Sequence, residues 1–197
     1  MTACNALVLA GSGMLSLVAR ELAADGWRVV LPSRRYCPLP VEETRTHPMS
    51  WSRRNRRNDR VGAGRAIWVE AHWDRPHELA RKAEKALTGP AELLVAWVHE
   101  SYRRAVLGAV EPLLAPGAPI VEVRALADLA VVPDEAEPLL HGHPTQQVLL
   151  GDVSDQPPRP LGHDEIGTGV VEALQRALER RPSALHQLGE RRPVHGY

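Results

Sequence analysis

The apolar positions along this chain fall into two alternating periods. Asn5-Ala6-Leu7-Val8-Leu9-Ala10 is a short, nearly continuous apolar run that stops at a glycine, the pattern of a strand buried on both faces of a parallel sheet. From Met14 the spacing changes. Leu15, Val18, Ala19, Leu22 and Ala23 recur at i, i+3, i+4, i+7 and i+8, which is one face of a helix, and Asp25-Gly26 ends it. A second strand covers 28–31, so residues 5–33 read as a βαβ crossover of the expected length, about 30 residues.

The same criteria place four more strands, at 66–71, 93–99, 119–124 and 147–153, with helices between most of them. Asp74 is the expected N-cap of a helix with Pro76 in its first turn and Leu79, Ala80, Ala83 and Leu87 on its inner face. A helix over 101–114 carries Tyr102, Val106, Ala109, Val110 and Leu113 on one side. The last helix, 163–180, has Asp164 and Glu165 in its first turn, where the helix dipole favours carboxylates, and a stripe of Ile166, Val170, Leu174, Ala177 and Leu178. Gly167 and Gly169 weaken it unless something approaches closely. The alternation breaks at 38–65, an arginine-rich loop, and at 126–144, one short helix and a loop. Six strands with these connections give an α/β, doubly wound parallel sheet of Rossmann type, order 3-2-1-4-5-6, on the rule that parallel crossovers are right-handed. The expected organisation is one domain over 1–181 and a tail over 182–197.

Length and composition narrow the function. A chain of 197 residues suits a single core. Basic and acidic side chains balance at 24 each, so no whole-protein field draws in nucleic acid or acidic lipid. No apolar run reaches the roughly 18 residues of a membrane span, and the start lacks a basic segment followed by an apolar core, so the expectation is a cytoplasmic protein. Cys4 and Cys37 lack the paired spacing of a zinc or redox site. His141-Gly142-His143 has no matching cysteine or carboxylate motif, and no metal is expected.

The first turn carries the chemistry. Gly11-Ser12-Gly13-Met14-Leu15-Ser16 is a G-x-G-x-x-G pattern with serine last, and it follows a strand and opens a helix, the context that gives the pattern meaning. Gly11 permits the sharp turn, Gly13 lets the backbone approach a pyrophosphate on the helix N-terminus, and Ser16 is small enough for close helix-to-strand packing. Gly11, Ser12, Gly13, Met14 and Leu15 therefore form the expected dinucleotide cradle. At the end of the second strand stands Ser33-Arg34-Arg35, with no carboxylate before Glu42 to bind a ribose 2′-hydroxyl. A 2′-phosphate pairs with arginine instead, so NADP is expected over NAD. Trp73, after the third strand, and Trp97, in the fourth, complete the expected cofactor set. The arginines from Arg53 to Arg65, with Trp51 their one nearby aromatic, read as a solvated loop near the adenosine end rather than a nucleic-acid surface.

With the turn and the strand Leu94-Val95-Ala96-Trp97-Val98-His99 in hand, the chain resembles an atypical, shortened short-chain dehydrogenase/reductase. Ala6 to Ser16 is similar to the opening of that superfamily's divergent members. Leu94 to Ser101, Val148-Leu149-Leu150-Gly151 and His163 to Val170 resemble small bacterial proteins of the same kind. The likeness spans most of the chain outside 38–65. It implies a Rossmann fold, NAD(P) binding and often a homodimer. The superfamily's catalytic tyrosine with a lysine four residues on is missing: Tyr36 is followed at that distance by Pro40 and Tyr102 by Val106, Tyr197 ends the chain, and the lysines are Lys82 and Lys85.

In a doubly wound sheet the ligand lies outside the carboxyl ends of the strands at the switch point, between the first and fourth strands. His99, Glu100 and Tyr102 come there. His99 is a candidate proton donor to a carbonyl or imine reduced by hydride, with Tyr102 replacing or assisting it. The bland alternatives are a histidine that bonds only backbone and a tyrosine packed under the cofactor. Arg124, ending the fifth strand, is a candidate for a substrate carboxylate. The expected function is an NADPH-dependent reductase of a small carbonyl or imine; the alternative is a non-catalytic NADP-binding sensor or partner protein.

Overall fold

The computed structural model describes residues 4–10, 13–35, 64–153 and 159–190. Its elements in chain order are β1 (Asn5–Leu9), α1 (Ser16–Ala24), β2 (Arg28–Ser33), β3 (Arg65–Glu70), α2 (Pro76–Ala86), β4 (Leu93–Trp97), α3 (Glu100–Val110), β5 (Ile120–Ala125), β6 (Thr145–Leu150), β7 (Asp152–Val153), β8 (Arg159–Pro160), α4 (His163–Leu178) and β9 (Ala184–Leu188). Seven strands form one parallel sheet in the order β3-β2-β1-β4-β5-β6-β9, and β7 and β8 make a small antiparallel hairpin. The doubly wound Rossmann order is present with one strand more than expected.

β1 sits inside the sheet, paired on both sides, because every one of its residues tolerates burial. Leu7 pairs with Val30 on one side and Leu94 on the other. Successive side chains alternate between the two faces, as a pleat requires. Ala6 and Val8 join the core under α1 and α4, whereas Leu7 and Leu9 join the core under α2 and α3.

Three expectations change. The tail from 182 contains β9, which pairs with β6 from Gln146↔Ala184 to Leu150↔Leu188. This edge strand reads Ala-Leu-His-Gln-Leu, too polar to stand out as a buried run, and it follows Arg180-Arg181-Pro182. Asp74 is not the cap of α2: Arg75 occupies that position without a side-chain bond, and Pro76 opens the helix. The right-handed rule also fails once. From β1 to β2 the chain moves toward the β3 edge with α1 on one face, and from β4 to β5 it moves the other way with α3 on the opposite face; these two share a hand. From β6 to β9 it again moves away from β3, yet α4 lies on the α1 face, so this crossover has the opposite, rare hand.

That reversal explains the glycines of α4. A Cβ on Gly167 would meet Leu17 Cδ2 of α1 at 2.6 Å, and one on Gly169 would meet Leu188 Cδ1 of β9 at 2.1 Å. The helix sits against both neighbours only because those side chains are missing. Its start is held by the N3 half of a capping box, in which the Glu165 carboxylate accepts from the Gly162 N–H at 2.7 Å and also pairs with Arg159.

β5 and β6 are joined without an α-helix; the connection holds one 3-10 turn at Leu126–Asp128, as the short helix expected there. Of the stretch 38–65 expected as a loop, residues 38–63 lie outside the described residues, and Arg65 opens β3, one residue earlier than the expected strand.

Candidate functional site

The site is built at the carboxyl edge of the sheet, where the order reverses between β1 and β4. β1 ends in Ala10, whose carbonyl accepts the N–H groups of Gly13 (3.2 Å) and Leu15 (3.4 Å), folding the chain back into α1. Gly11 and Ser12 lie outside the described residues. Gly13 does not occupy the left-handed region, and a Cβ there would meet only the Ala10 carbonyl oxygen, at 3.9 Å. Nothing among the described residues therefore requires glycine at this position. The N-cap of α1, Leu15, makes no side-chain hydrogen bond, and the first turn holds no acidic residue, whereas α2, α3 and α4 each begin with a carboxylate. The positive end of α1 is left without an anionic side chain. Met14 packs on the α1 core and the Leu15 side chain is wholly inside it, so this turn presents backbone rather than side chains.

At the end of β2 the Ser33 hydroxyl accepts the Trp68 indole N–H at 3.0 Å and donates to the Arg35 carbonyl at 2.8 Å, tying β2 to β3. Arg34 and Arg35 are exposed beyond it, and neither pairs with a carboxylate among the described residues.

β4 stops at Trp97, earlier than expected, because His99 turns to cap α3. Its Nδ1 accepts from the Ser101 N–H (3.3 Å) and hydroxyl (2.8 Å). An accepting Nδ1 leaves the proton of the neutral ring on Nε2. His99 therefore bonds the Ser101 side chain as well as backbone, and its Nε2 makes no hydrogen bond among the described residues. Tyr102, one turn into α3 and 40% exposed, stands edge-on to His99 (centroids 6.5 Å apart) and tilted against Trp73 (6.4 Å), so the loops after β3 and β4 are joined by a row of rings. Trp97 faces away from this row, packing half-buried against the α1 core.

The charged part of the site was not foreseen as a unit. Glu100 and Arg103 lie one turn apart on α3, Glu122 and Arg124 two residues apart on β5, and both spacings keep the members of each pair on one face. Arg103 grips Glu122 with Nε and Nη2, the latter at 2.9 Å, and Gln147 of β6 donates to the same carboxylate at 3.2 Å. Burial works against the Arg103 charge, but the hydrogen bond and charge of Glu122 outweigh it and raise the guanidinium pKa. Arg124, only 9% exposed, reaches a single oxygen of Glu100, Oε2, from Nε (3.2 Å) and Nη2 (3.1 Å). The alternation Ile-Val-Glu-Val-Arg within a buried strand is the sequence signal that could have pointed to this network.

His143, of the His-Gly-His segment, bonds the Ala118 carbonyl through Nδ1 at 2.8 Å; among the described residues no group of three ligating side chains gathers. No helix among them is long and apolar enough to cross a membrane.

A strand, a glycine turn and a helix at the switch point of a seven-stranded parallel sheet define a Rossmann-type α/β domain. More particularly, the fold is that of the short-chain dehydrogenase/reductases. A short-chain dehydrogenase/reductase from Serratia marcescens superposes with a TM-score of 0.61 at 13% identity, over 94% of this chain and 96% of that one. A dehydrogenase/reductase from Sinorhizobium meliloti gives 0.60 at 16%, over 96% and 94%. A metagenomic short-chain oxidoreductase in complex with NADP gives 0.60 at 18%, over 98% and 99%. No protein-family model matches the chain, and no curated protein matches it in sequence.

Proposed function

We propose that this protein is an NADPH-dependent reductase of a small carbonyl or imine substrate. The observation that carries the reading is Gly13: a glycine that neither its backbone nor any neighbour among the described residues needs, at the open positive end of the helix following β1. Such a cradle suits a pyrophosphate, whose charge the helix N-terminus favours. The backbone of residues 11–15 would hold the pyrophosphate, and Arg34 and Arg35 would pair with a 2′-phosphate, which favours NADP over NAD. Trp73 and Tyr102 offer ring faces beside it. Ser33 has a structural task and is left with the cofactor set only through its position. When bound, the cofactor supplies a hydride. As an imidazolium whose Nδ1–H donates to the Ser101 hydroxyl, His99 would pass its Nε2 proton to a carbonyl oxygen at the edge where that hydride is delivered; Tyr102 stands next to it as the alternative donor. The reading includes a small-molecule substrate, a homodimer and a cytoplasmic setting.

Fluorescence titration with NADPH and NADH tests the first half. NADPH is expected to bind more tightly, and no binding of either would remove the proposal. His99→Asn tests the second, since asparagine caps a helix but cannot donate from Nε2. Turnover of a carbonyl substrate is expected to fall about 100-fold with the fold intact.

One observation favours a second reading, a non-catalytic NADP-binding sensor. Both lysines sit on α2, where Lys82 is held by the Glu70 carbonyl and the Glu78 carboxylate, so neither partners a tyrosine as in the superfamily's pair. Tight NADPH binding without oxidation by any carbonyl or imine would support it.

A further inference from the structure

The Arg124–Glu100 pair is half-finished. Both of its hydrogen bonds end on Glu100 Oε2, and neither Arg124 Nη1 nor Glu100 Oε1 takes part in any other. Every buried polar atom of the described side chains has a partner, so Nη1 of this otherwise buried arginine must touch solvent. The Glu100 side chain is 38% exposed. An open donor with positive charge and an open acceptor with negative charge therefore lie side by side. Trp97 pairs with Val123, so Arg124 stands one position further along the same edge, beside the segment that carries His99.

We propose that this pair is the recognition site for a substrate carrying a carboxylate and a cationic nitrogen on one carbon, an α-imino acid held as its protonated iminium. The proposal rests on the reductase reading and names its substrate class. Electrostatics selects this class. Glu100 largely cancels the field of Arg124, so an anion alone meets repulsion from Glu100 and a cation alone meets repulsion from Arg124. A ligand of both signs gains from each: its carboxylate accepts from Nη1 and its nitrogen donates to Oε1, with both partners already charged and one of them fixed by burial. Carboxylate binding by Arg124 alone, the simpler expectation, leaves Glu100 without a part.

The chemistry agrees with the missing tyrosine-lysine pair. Hydride added to an iminium carbon forms the C–H bond while the C=N π pair moves to nitrogen. The product is the neutral amine, NADPH becomes NADP+, and no proton has to be supplied during the step. A ketone reduced in the same place would need one for its oxygen. A site built for an iminium can therefore dispense with the donor that the superfamily's carbonyl reducers use.

The test is binding, read by NMR line-shape and shift titration of the full chain, with and without NADP. L-proline is compared with pyrrolidine and cyclopentanecarboxylate, and L-alanine with ethylamine and propanoate, so that each amino acid is set beside its cation-only and anion-only counterparts. At least one amino acid is expected to bind about tenfold more tightly than either counterpart, and Glu100→Gln and Arg124→Gln are each expected to remove that advantage. Should Arg124→Gln unfold, Glu100→Gln, at the more exposed position, decides alone. Equal binding of cyclopentanecarboxylate and proline, an advantage that survives Glu100→Gln, or no binding by any probe would each overturn the proposal. The titrations without NADP read the pair independently of the cofactor. A protein that fails to bind NADPH yet prefers the amino acids loses the reductase reading and keeps this site.

Discussion

Gly13 and Gly169 make opposite predictions from the same kind of substitution. In Gly13→Val the new Cβ enters open space, 3.9 Å from its one near neighbour, with a backbone that any residue adopts. Stability is expected to change by no more than about 0.5 kcal/mol, the range of surface substitutions away from packed features. For a domain of this size that is less than about 2 °C in Tm. Binding fares differently. The valine side chain fills the space a pyrophosphate would take against the α1 N-terminus, and charge-assisted hydrogen bonds are worth about 1.5–3 kcal/mol each. Losing two of them costs about 3–6 kcal/mol, which weakens NADPH by at least 100-fold, roughly. Gly169→Val has its Cβ 2.1 Å from Leu188 Cδ1 and must displace β9 or α4. Overpacking of this kind costs about 1–3 kcal/mol, so Tm drops by about 2–12 °C. Calorimetric unfolding and NADPH fluorescence titration, run on both variants, give four numbers. If Gly13→Val binds NADPH as the parent does, the cradle is not where the dinucleotide lies. If instead Gly13→Val is the destabilised variant, the glycine is structural and the inference drawn from it is wrong.

Other outcomes follow from neighbouring features. Replacing Arg34 and Arg35 together with alanine is expected to weaken NADPH about tenfold while leaving NADH nearly unchanged, measured by the same titration; equal losses would remove the 2′-phosphate assignment. Arg103→Met leaves the Glu122 carboxylate, 3% exposed, with only Gln147 as a charge-free partner, and should cost about 3 kcal/mol in urea unfolding. Adding Glu122→Leu should restore much of that loss, and strict additivity of the two changes would contradict the pairing. His186 on β9 donates from Nε2 to Gln146 Oε1 at 2.9 Å. Burial first, then the Arg176 charge, hold its pKa below the ordinary 6.5, against the opposing pull of Glu172. The folded protein thus binds a proton less readily than the unfolded chain, so this contribution is complete above pH 6.5 and is lost as the pH falls below it. Melting temperature followed from pH 7.5 down to 5 should show a decline that His186→Gln reduces; an identical slope would acquit the histidine.

The strands around β1 were legible because a parallel sheet covered on both sides demands unbroken apolar runs, and little else in the chain has that pattern. The turn was legible for the same reason: a glycine pair between such a run and a helical stripe has few other uses. β9 escaped because an edge strand needs only one paired side, so His186 and Gln187 are tolerated and no apolar run forms. The hand of the last crossover escaped because it depends on which face α4 covers. The sequence expresses that only through Gly167 and Gly169, whose missing side chains were visible but whose partners, Leu17 and Leu188, were not. The charges on β5 looked like isolated members of a strand. Their meaning lies in the match between a helix spacing of three and a strand spacing of two, which becomes a pattern only when α3 is laid across β5.

The reversed crossover also bears on how the chain acquires its structure in time. Because α4 packs on α1 rather than on the α3 side, the first helix of the protein is covered by the last. A chain emerging from synthesis can pair β1, β2 and β4, yet the apolar flank of α1 and the matching face of β5 and β6 stay wet until residues beyond 163 appear. Contacts so distant in sequence are closed late and slowly. The glycine turn proposed as the dinucleotide site is thus encoded in the first tenth of the chain and its surroundings are finished by the last fifth, so a protein truncated before α4 would expose apolar surface beside that turn.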